Sequence, residues 1–493
     1  MKKLIAILGS FVLVTCLFAE EKSQTKVVTY PAPPSEKVES IYKVSVNGQN
    51  IDIYKALSPM FTGGEYYFCY FDFEGNVDVK VECINSFGRV LGYRVTDKDV
   101  RAKAKSTLVS DFYPPAKYYP AIKNVKRSLK DITFSANKPF QCVVIRDVAN
   151  PRGMPLVIFG NPLEKNPPNK DDKNVIYFDA GVHCPQERIN VKSGQTLYVA
   201  GGAVLKAQIT VLGKNCTVRG RGIVSWDNRG RGTGRNLKFD YCHNLKVEGL
   251  IFKDPASWTF VLEGCNKVEI DNIKICGSRM INDDAIDIIN SRNVVIKNSF
   301  ARSQDDVIAI KGMPRCGKSP CENIYIENCV FWADIANIFR VGYECFAPYF
   351  KNIKAKNIFV PFYSTLYREP SHYWSQAVVW VQPTTDMKIS DVHIENMHVR
   401  SDGRDMLLMI AEPRIVHLSK TFGSAENITL KNVVVDGTKG KFRGQVWVAG
   451  QNETATIENV KVENVLYFGE KQTTENKLIH IGEHTKNISI FEK

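Results

Sequence analysis

A six-residue pattern recurs along the second half of the chain and decides the fold. It stands as Asn293-Val-Val-Ile-Lys-Asn298 and as Asn323-Ile-Tyr-Ile-Glu-Asn328, which is Asn, apolar, any, apolar, any, Asn or Gly. Further copies begin at Asn244, Asn352, Asn427, Asn459 and Asn487, with variants at Lys267 and Asp391. Successive starts lie 23, 26, 30, 29, 39, 36, 32 and 28 residues apart. A drifting period of this size, with strand alternation and no helical pattern, predicts a right-handed parallel β-helix whose corner turns are occupied by Asn.

Two other all-β folds compete with this interpretation. A β-propeller needs about 40 residues and four strands in each blade, so the shorter gaps disfavour it, and a long β-sandwich is the other alternative. The coils lengthen after Asn352, which indicates loops inserted on one face, where they would wall a cleft.

The amino-terminal part has a different pattern. Val44–Gly48, Tyr66–Phe73 and Val77–Cys83 alternate with period two between turn residues, as in a β-sandwich. The stretch from Asn161 to Asp172 is polar and rich in proline and is interpreted as a linker. We therefore expect a sandwich with a polar lead over residues 20–170 and a β-helix over residues 171–493.

Residues 1–19 have the pattern of a signal peptide. Met1-Lys2-Lys3 is positively charged, Leu4–Phe18 is apolar but short for a membrane span, and Ala19 suits cleavage. The alternative is a lipoprotein signal with Cys16 as its anchor, although Thr15 fits that motif poorly. No later stretch is long enough for a transmembrane helix. The sequence thus predicts export to the periplasm or the extracellular space.

The amino-acid composition indicates which kind of partner the protein binds. The 493 residues include 65 Lys+Arg and 52 Asp+Glu, a formal charge of +13, which favours an anionic partner. The basic residues are scattered, so nucleic acid is not the predicted partner, and a monomer acting on an anionic polysaccharide is. Twelve cysteines follow the leader; Cys316 and Cys321 are the best disulfide candidates, whereas Cys265 and Cys276 are expected to be buried. No CxxC pair or Cys/His cluster predicts zinc, and no cofactor is expected.

The densest acidic constellation lies on two neighbouring coils. The first is Asn282-Asp283-Asp284-Ala-Ile-Asp287, and the second is Gln304-Asp305-Asp306-Val-Ile-Ala-Ile-Lys311. The 21 residues from Asp284 to Asp305 are close to one turn, so these acids should lie on adjacent rungs about 4.8 Å apart. Glycoside hydrolysis uses such a cluster, because one protonated carboxyl donates to the leaving oxygen while an ionised one activates water. A calcium site, or acids that cap turns, are the alternatives.

Both motifs resemble those of a known family. Asn-Asp-Asp-Ala-Ile-Asp287 and Gln-Asp-Asp-Val-Ile-Ala-Ile-Lys311-Gly are similar to the Asn-Thr-Asp-Gly-x-Asp and Asp-Asp-x-Ile-Ala-Ile-Lys motifs of the polygalacturonases, glycoside hydrolase family 28. Gly220-Arg-Gly and Pro255-Ala-Ser-Trp258 are similar to further landmarks of that family. The amino-terminal region and the run Gly181–Ala203 look more like the dextranase-type relatives of family 49. The resemblance implies a pectin-lyase-like β-helix, three aspartates and hydrolysis with inversion and without a metal.

Carried over by position, the resemblance makes Asp305 the general acid, with Asp284 and Asp306 holding and deprotonating the water. Asp283 stands at the family's Thr position and could replace Asp284 if the turn is shifted. The family's Gly-His-Gly falls near Ala336-Asn337-Ile338, where no His is present. Asn337 could supply a hydrogen bond there but cannot titrate.

A second group of residues is predicted to bind substrate. Lys311 is either a point charge for a uronate or a solvated strand lysine, and Arg340 and Glu344 are either a substrate clamp or an ion pair. The remaining candidates are Asn282, Asp287, Asn337, Trp258 and Arg368, the last from an inserted stretch that also holds Glu369, His372 and Trp374. Trp258, Trp332, Tyr343 and Trp374 could stack on sugar rings, although most aromatic residues of a β-helix are core.

The sequence therefore predicts a secreted, metal-independent inverting glycosidase, with an acidic polysaccharide such as polygalacturonan as the leading substrate. A neutral α-glucan or galactoside is the alternative within this class. A calcium-dependent polysaccharide lyase, which needs an Arg or Lys base, and an inactive carbohydrate-binding β-helix are the competitors from other classes.

Overall fold

The structure is a computed structural model, and it describes residues 25–57, 65–83, 111–115, 118–128, 130–145, 154–235, 237–365, 376–402, 406–415, 419–438, 445–475 and 479–491. Within these ranges the regular elements are strands, apart from one short 3₁₀ turn at Pro314–Cys316. The all-β prediction is confirmed.

Two sheets form the amino-terminal unit. The first contains β1 (Lys26–Thr29), β4 (Tyr54–Leu57), β5 (Glu65–Glu74), β7 (Asp111–Tyr113), β10 (Phe140–Ile145) and β11 (Leu156–Pro162). The second contains β2 (Tyr42–Val46), β3 (Gln49–Ile51), β6 (Val77–Cys83), β8 (Ile122–Arg127) and β9 (Asp131–Ala136). Side chains from both sheets share one apolar core, which makes the unit a β-sandwich.

The rest of the described chain coils into one sheet of 29 strands, whose pairings are parallel except for that of β37 with β38. Its first coils contain β12 (Val175–Phe178), β13 (Gly181–His183), β14 (Ile189–Val191), β15 (Thr196–Val199), β16 (Ala203–Leu205), β17 (Ile209–Lys214), β18 (Thr217–Gly220), β19 (Ile223–Ser225), β20 (Leu237–Glu248), β21 (Ile251–Lys253), β22 (Phe260–Glu263), β23 (Asn266–Asp271) and β24 (Lys274–Cys276). The middle coils contain β25 (Ile286–Ile289), β26 (Arg292–Lys297), β27 (Phe300–Ser303), β28 (Ile308–Gly312), β29 (Cys321–Ala333), β30 (Phe339–Cys345), β31 (Tyr349–Tyr363) and β32 (Val379–Gln382). The last coils contain β33 (Lys388–Asp402), β34 (Leu407–Ala411), β35 (Ser424–Thr438), β36 (Gln445–Val448), β37 (Ile457–Tyr467), β38 (Glu470–Lys471), β39 (Ile479–Ile481) and β40 (Thr485–Ile490). The parallel β-helix prediction is confirmed.

The repeated Asn residues form ladders at the corners of the coils. Asn293, Asn323 and Asn352 all adopt the left-handed conformation, with φ of 55°, 55° and 56°, which Asn tolerates better than most residues. Each amide also bonds to the next rung: Asn323 Nδ2 donates to Asn293 Oδ1 at 3.0 Å, and Asn352 Nδ2 donates to Asn323 Oδ1 at 2.7 Å. The Asn of the hexapeptide therefore accounts both for the turn at the corner and for the stacking of successive coils.

The sandwich packs against the outside of the β-helix. Strand β5 has apolar residues on both faces: Tyr67, Cys69 and Phe71 join the core of the sandwich. Tyr66, Phe68 and Tyr70 instead pack with residues of the helix that include Phe300, Trp332 and Phe362. The sandwich thus covers the wall of the helix beside the strand that leads to Asp305.

The disulfide prediction is wrong. Cys316 and Cys321 are both free and buried, and Cys321 Sγ donates to the carbonyl of Lys311 at 3.2 Å. Cys265 and Cys276 are buried, as expected. The predicted leader and Cys16 lie outside the described residues. Within the described ranges no helix is long and apolar enough to cross a membrane.

Candidate active site

The register of three successive strands positions the acidic cluster. Asp287 of β25 pairs with Ala309 of β28, which pairs with Arg340 of β30, and Ile289 pairs with Lys311. These residues alternate with the isoleucines and valines of the helix core, so they form columns on its outer face. One face of the helix therefore carries Asp287, Lys311 and Arg340 close together.

The turns that precede these strands bring the other acids to the same face. The backbone N–H of Ala285 donates to the carbonyl of Asp306 at 2.9 Å, and that of Val307 donates to the carbonyl of Asn337 at 2.9 Å. The turns are therefore stacked, with Asp284, Asp306 and Asn337 on successive rungs. The two acidic motifs therefore lie next to each other in the structure, on adjacent rungs.

Lys311 lies inside this cluster rather than free in the cleft. Its ammonium contacts Asp284 Oδ2 directly and lies 3.0 Å from Asp287 Oδ1. Glu344 Oε2 is 4.0 Å away, and the Trp258 ring centroid is 3.9 Å from the ammonium. The side chain is only 5% exposed, and its acidic neighbours raise the pKa of the ammonium despite burial. The interpretation of Lys311 as an available charge for a uronate is therefore corrected, because its charge is already paired.

Asp306 is held by Asn337. The side-chain Nδ2 of Asn337 donates to Asp306 Oδ1 at 2.6 Å, and the backbone N–H of Asn337 donates to the same oxygen at 3.2 Å. Burial raises the pKa of Asp306, while Arg340 and this amide act in the opposite direction. The amide in turn is fixed by Ala377, whose N–H donates to Asn337 Oδ1 at 2.8 Å. Where the resemblance has a histidine nearby, the chain uses a neutral, oriented donor.

Asp305 is the least buried of the acids of the two double-Asp turns. Its Oδ1 accepts the backbone N–H of Asp306 at 3.0 Å. Desolvation raises its pKa well above the usual range, and the neighbouring charges of Asp284 and Asp306 add to that effect. A partly exposed carboxyl group whose pKa is raised in this way suits the role of general acid.

Asp283 has a structural task. Its Oδ1 accepts the backbone N–H of Gln304 at 3.0 Å and that of Asp305 at 3.2 Å. Asp283 is 1% exposed, and burial raises the pKa of its carboxyl group well above the usual range. Asp283 therefore holds the turn that presents Asp305 and does not take the place of Asp284.

Two buried residues that the sequence argument missed connect the turn that holds Asp305 to the turn that holds Asn337. Arg302 and Asp334 form a fully buried ion pair, with Nε and Oδ2 3.0 Å apart. The guanidinium lies 4.6 Å from the ring of Tyr66, which the sandwich supplies, and 4.2 Å from the ring of Trp332. Trp332 Nε1 also donates to Asp334 at 2.9 Å. The only sequence signal was an arginine within the apolar strand Phe300–Ser303 and an aspartate directly after β29.

The other candidate residues are distributed around the cluster. Trp258 is partly exposed, and its Nε1 donates to Asn282 Oδ1 at 2.6 Å, whereas Trp332 is buried and cannot stack on a sugar. Arg340 is stacked 3.9 Å from the Trp380 ring centroid, and among the described residues it has no ion pair with Glu344. Arg368, Glu369, His372 and Trp374 lie outside the described residues. The described part of the chain has no group of three His, Cys, Asp or Glu side chains that could hold a metal ion.

Comparison with known proteins shows what the segment that holds both acidic turns is similar to. Residues 170–333, which include both acidic turns, match the family model of Glycosyl hydrolases family 28. The family 28 resemblance is confirmed. A probable polygalacturonase of Arabidopsis thaliana is 36% identical over 95 residues, and a polygalacturonase of Cochliobolus carbonum is 30% identical over 122 residues. The aligned segments span 20% and 31% of the length of these two relatives and 19% and 23% of this chain.

One solved structure is similar in fold to most of this chain. Dex49A from Penicillium minioluteum superimposes with a TM-score of 0.68 and 15% identity over 93% of this chain and 96% of its own. At this identity the likeness concerns the fold, and it includes the amino-terminal region as well as the β-helix. The chain thus combines a segment that matches the family 28 model with a fold similar to that of Dex49A.

Proposed function

We propose that this protein hydrolyses glycosidic bonds of a polysaccharide, with Asp305 as the general acid. The observation that carries the proposal is the contrast among three neighbouring acids. Asp305 is partly exposed and its pKa is raised well above the usual range, Asp284 is ion-paired with Lys311, and Asp306 is held by Asn337 and Arg340, which favour its ionised form against burial. Asp305 would protonate the leaving oxygen while Asp284 and Asp306 hold and deprotonate the attacking water.

An acidic polysaccharide is the proposed substrate, and inversion is the proposed stereochemistry. The polygalacturonase names of the curated relatives and the net charge of +13 support the first, and the family 28 match supports the second. A neutral glycan is the second candidate, because the charge of Lys311 is engaged within the protein. Export through the predicted leader, followed by action as a monomer, would bring the enzyme to an extracellular polymer.

A lyase mechanism has less support. It needs a basic side chain that abstracts a proton, and Lys311 is the amine closest to the acids. A base must be deprotonated before it can abstract a proton. Asp284 and Asp287 raise the pKa of Lys311, so its ammonium does not readily lose its proton.

The test is a screen of polygalacturonan, dextran and galactan, with detection of new reducing ends. Asp305→Asn should lower turnover of the cleaved polymer by about 10²–10⁴-fold while the thermal unfolding curve is retained. Asp171→Asn, an exposed substitution of the same type, is the matched control. Proton NMR should show the inverted anomer first. Near-native turnover of Asp305→Asn contradicts the assignment of the acid, and early accumulation of the retained anomer contradicts the mechanism.

A further inference from the structure

A cluster of cations lies beside the proposed catalytic centre, around a single buried acid. Glu263 is 2% exposed. Its Oε1 accepts from Arg315 Nη2 at 2.6 Å and from Arg315 Nε at 3.1 Å, and it also contacts Arg235 Nη1. Lys238 Nζ lies 3.0 Å from Oε2 of the same carboxylate. Three positive side chains therefore converge on one carboxylate.

The cluster has more positive charge than its acids neutralise. The carboxylate of Asp240 lies 3.1 Å from Lys238 Nζ. Asp287 also acts on Arg235, but its carboxylate is ion-paired with Lys311, so the three cations face mainly the two anions Glu263 and Asp240. The three cationic side chains are partly exposed, at 24% for Arg235, 26% for Lys238 and 45% for Arg315. A guanidinium has five N–H donors, and Glu263 engages one of Arg235 and two of Arg315. The remaining N–H donors of Arg235 and Arg315, together with the net positive charge of the cluster, are therefore available to bind a ligand.

The register places this cluster on the catalytic face. Lys238 pairs with Val261, which pairs with Asp287, so Lys238 lies two rungs from Asp287 in the same outer column. Two rungs correspond to about 9–10 Å. Trp258 joins the two regions, because Arg235 lies 5.1 Å and Lys311 3.9 Å from the centroid of its ring. A sugar bound next to the cleaved bond would lie beside the Trp258 ring and within reach of these cations.

The proposed catalytic centre is poorly suited to binding a negatively charged group of the substrate. It contains Asp284, Asp287, Asp305, Asp306 and Glu344. The ammonium of Lys311 is already paired there, and Arg340 lies between the rings of Trp380 and Tyr343. A substrate carboxylate placed among these acids would be repelled. An anionic polymer therefore needs its recognition charge at a neighbouring unit.

We infer that Arg235 and Arg315 form a carboxylate-binding subsite next to Trp258, and that it takes the uronate group of the sugar adjacent to the one being cleaved. This inference rests on the proposed function and adds the residues that select an acidic substrate. The planar guanidinium groups suit a carboxylate because they can donate to it through two parallel bonds.

The experiment compares trigalacturonate with its fully methyl-esterified form, which has the same sugars without the charges. Binding of each to the full chain carrying Asp305→Asn is measured by calorimetry. We expect the free acid to bind more tightly, with a preference that falls as NaCl is added. Adding Arg315→Gln should reduce that preference by about ten- to a hundredfold while binding of the ester changes little. Arg315 is the most exposed of the three cations, and Glu263 keeps Arg235 and Lys238, so this variant should fold.

Two comparisons keep the outcomes separate. Arg188→Gln removes an equal charge from an exposed site whose guanidinium donates to Thr210 at 2.9 Å, and it should leave the preference unchanged. Equal binding of acid and ester, failure of trigalacturonate to bind, or an equal effect of both arginine substitutions would overturn the subsite, even if hydrolysis and its loss in Asp305→Asn stand. Absence of hydrolysis of every polymer, with the charge preference intact, would overturn the proposed function and leave the subsite.

Discussion

The guanidinium of Arg302 donates to both carboxylate oxygens of Asp334, at 3.0 and 3.3 Å. Each residue stands three positions before a residue of the proposed centre, since Asp305 follows Arg302 and Asn337 follows Asp334. The buried ion pair therefore couples the turn that presents the general acid to the turn that holds Asp306. Tyr66 packs on the guanidinium, so the sandwich contributes directly to this support.

Arg302→Met should leave the carboxylate of Asp334 buried and without its cation. Removing one partner of a buried ion pair costs about 3–5 kcal/mol, so the free energy of unfolding in denaturant should fall by that amount and turnover should fall as the two turns separate. In Arg302→Met/Asp334→Leu no charge is left unpaired, so stability should largely return while turnover stays low. Wild-type turnover in the double variant would show that the pair stabilises the fold but does not position the acids.

The fold could be predicted from sequence because each coil repeats the same physical requirement. An Asn at a corner, such as Asn323, indicates both a left-handed turn and a hydrogen bond to the neighbouring Asn of the ladder. The apolar residues between the corners indicate which face of each strand points into the core. The two double-Asp motifs lie about one coil apart, so their stacking followed from the same period. Both predictions depend on local pattern and rung spacing alone.

The roles of individual side chains could not be obtained in this way. The register assigns Lys311 to an outer column, but whether its ammonium meets solvent or Asp284 depends on Trp258, which comes from a distant part of the chain. The Arg302–Asp334 pair joins two coils beneath a surface that the sandwich covers, and no spacing rule predicts that packing. Sequence reasoning thus identified which residues are neighbours but not which charges neutralise one another.

Asp283→Asn and Asp283→Ala should differ strongly. Asn keeps an oxygen for the N–H groups of Gln304 and Asp305, and because burial favours the neutral form of Asp283, Asn should cost little stability or turnover. Ala leaves both buried N–H groups without this acceptor, at about 1–3 kcal/mol each, and releases Asp305. Thermal unfolding and kcat/KM measure the contrast. If Asp283→Asn is as inactive as Asp305→Asn, then Asp283 takes part in the chemistry itself.

Asn337→Ala should change the acid limb of the pH profile. The amide of Asn337 favours the ionised form of Asp306, and the base must be ionised to deprotonate water. Its removal raises the pKa of Asp306, so activity should be lost at a higher pH on the acidic side than in the wild type. The profile of kcat/KM against pH measures the shift, with Asn337→Ser as a control that retains a small donor. An acid limb at the same pH in wild type and Asn337→Ala would mean that Asp306 is not the titrating base.

Lys311→Met should move the alkaline limb as well as the acid limb, because the charge of Lys311 lowers the pKa of both Asp305 and Asp306. The general acid must hold its proton, so activity falls as pH rises through the pKa of Asp305. The charge of Lys311 lowers that pKa, and its removal should therefore shift the alkaline limb to higher pH, whereas Lys311→Arg should shift it less. Turnover should also fall, because Asp284 and Asp287 lose their cation within a buried cluster, at a cost of about 3–5 kcal/mol in stability.

The same variant separates Lys311 from the proposed carboxylate subsite. Since its ammonium is paired inside the protein, Lys311→Met should lower kcat/KM by the same factor on an acidic polymer and on its methyl ester, and the sensitivity of the acidic polymer to salt should persist. Arg315→Gln should do the reverse, with a larger loss on the acidic polymer and weaker salt dependence. A Lys311→Met variant that loses activity only on the acidic polymer would return Lys311 to the role of substrate charge and would contradict the internal ion pair as its function.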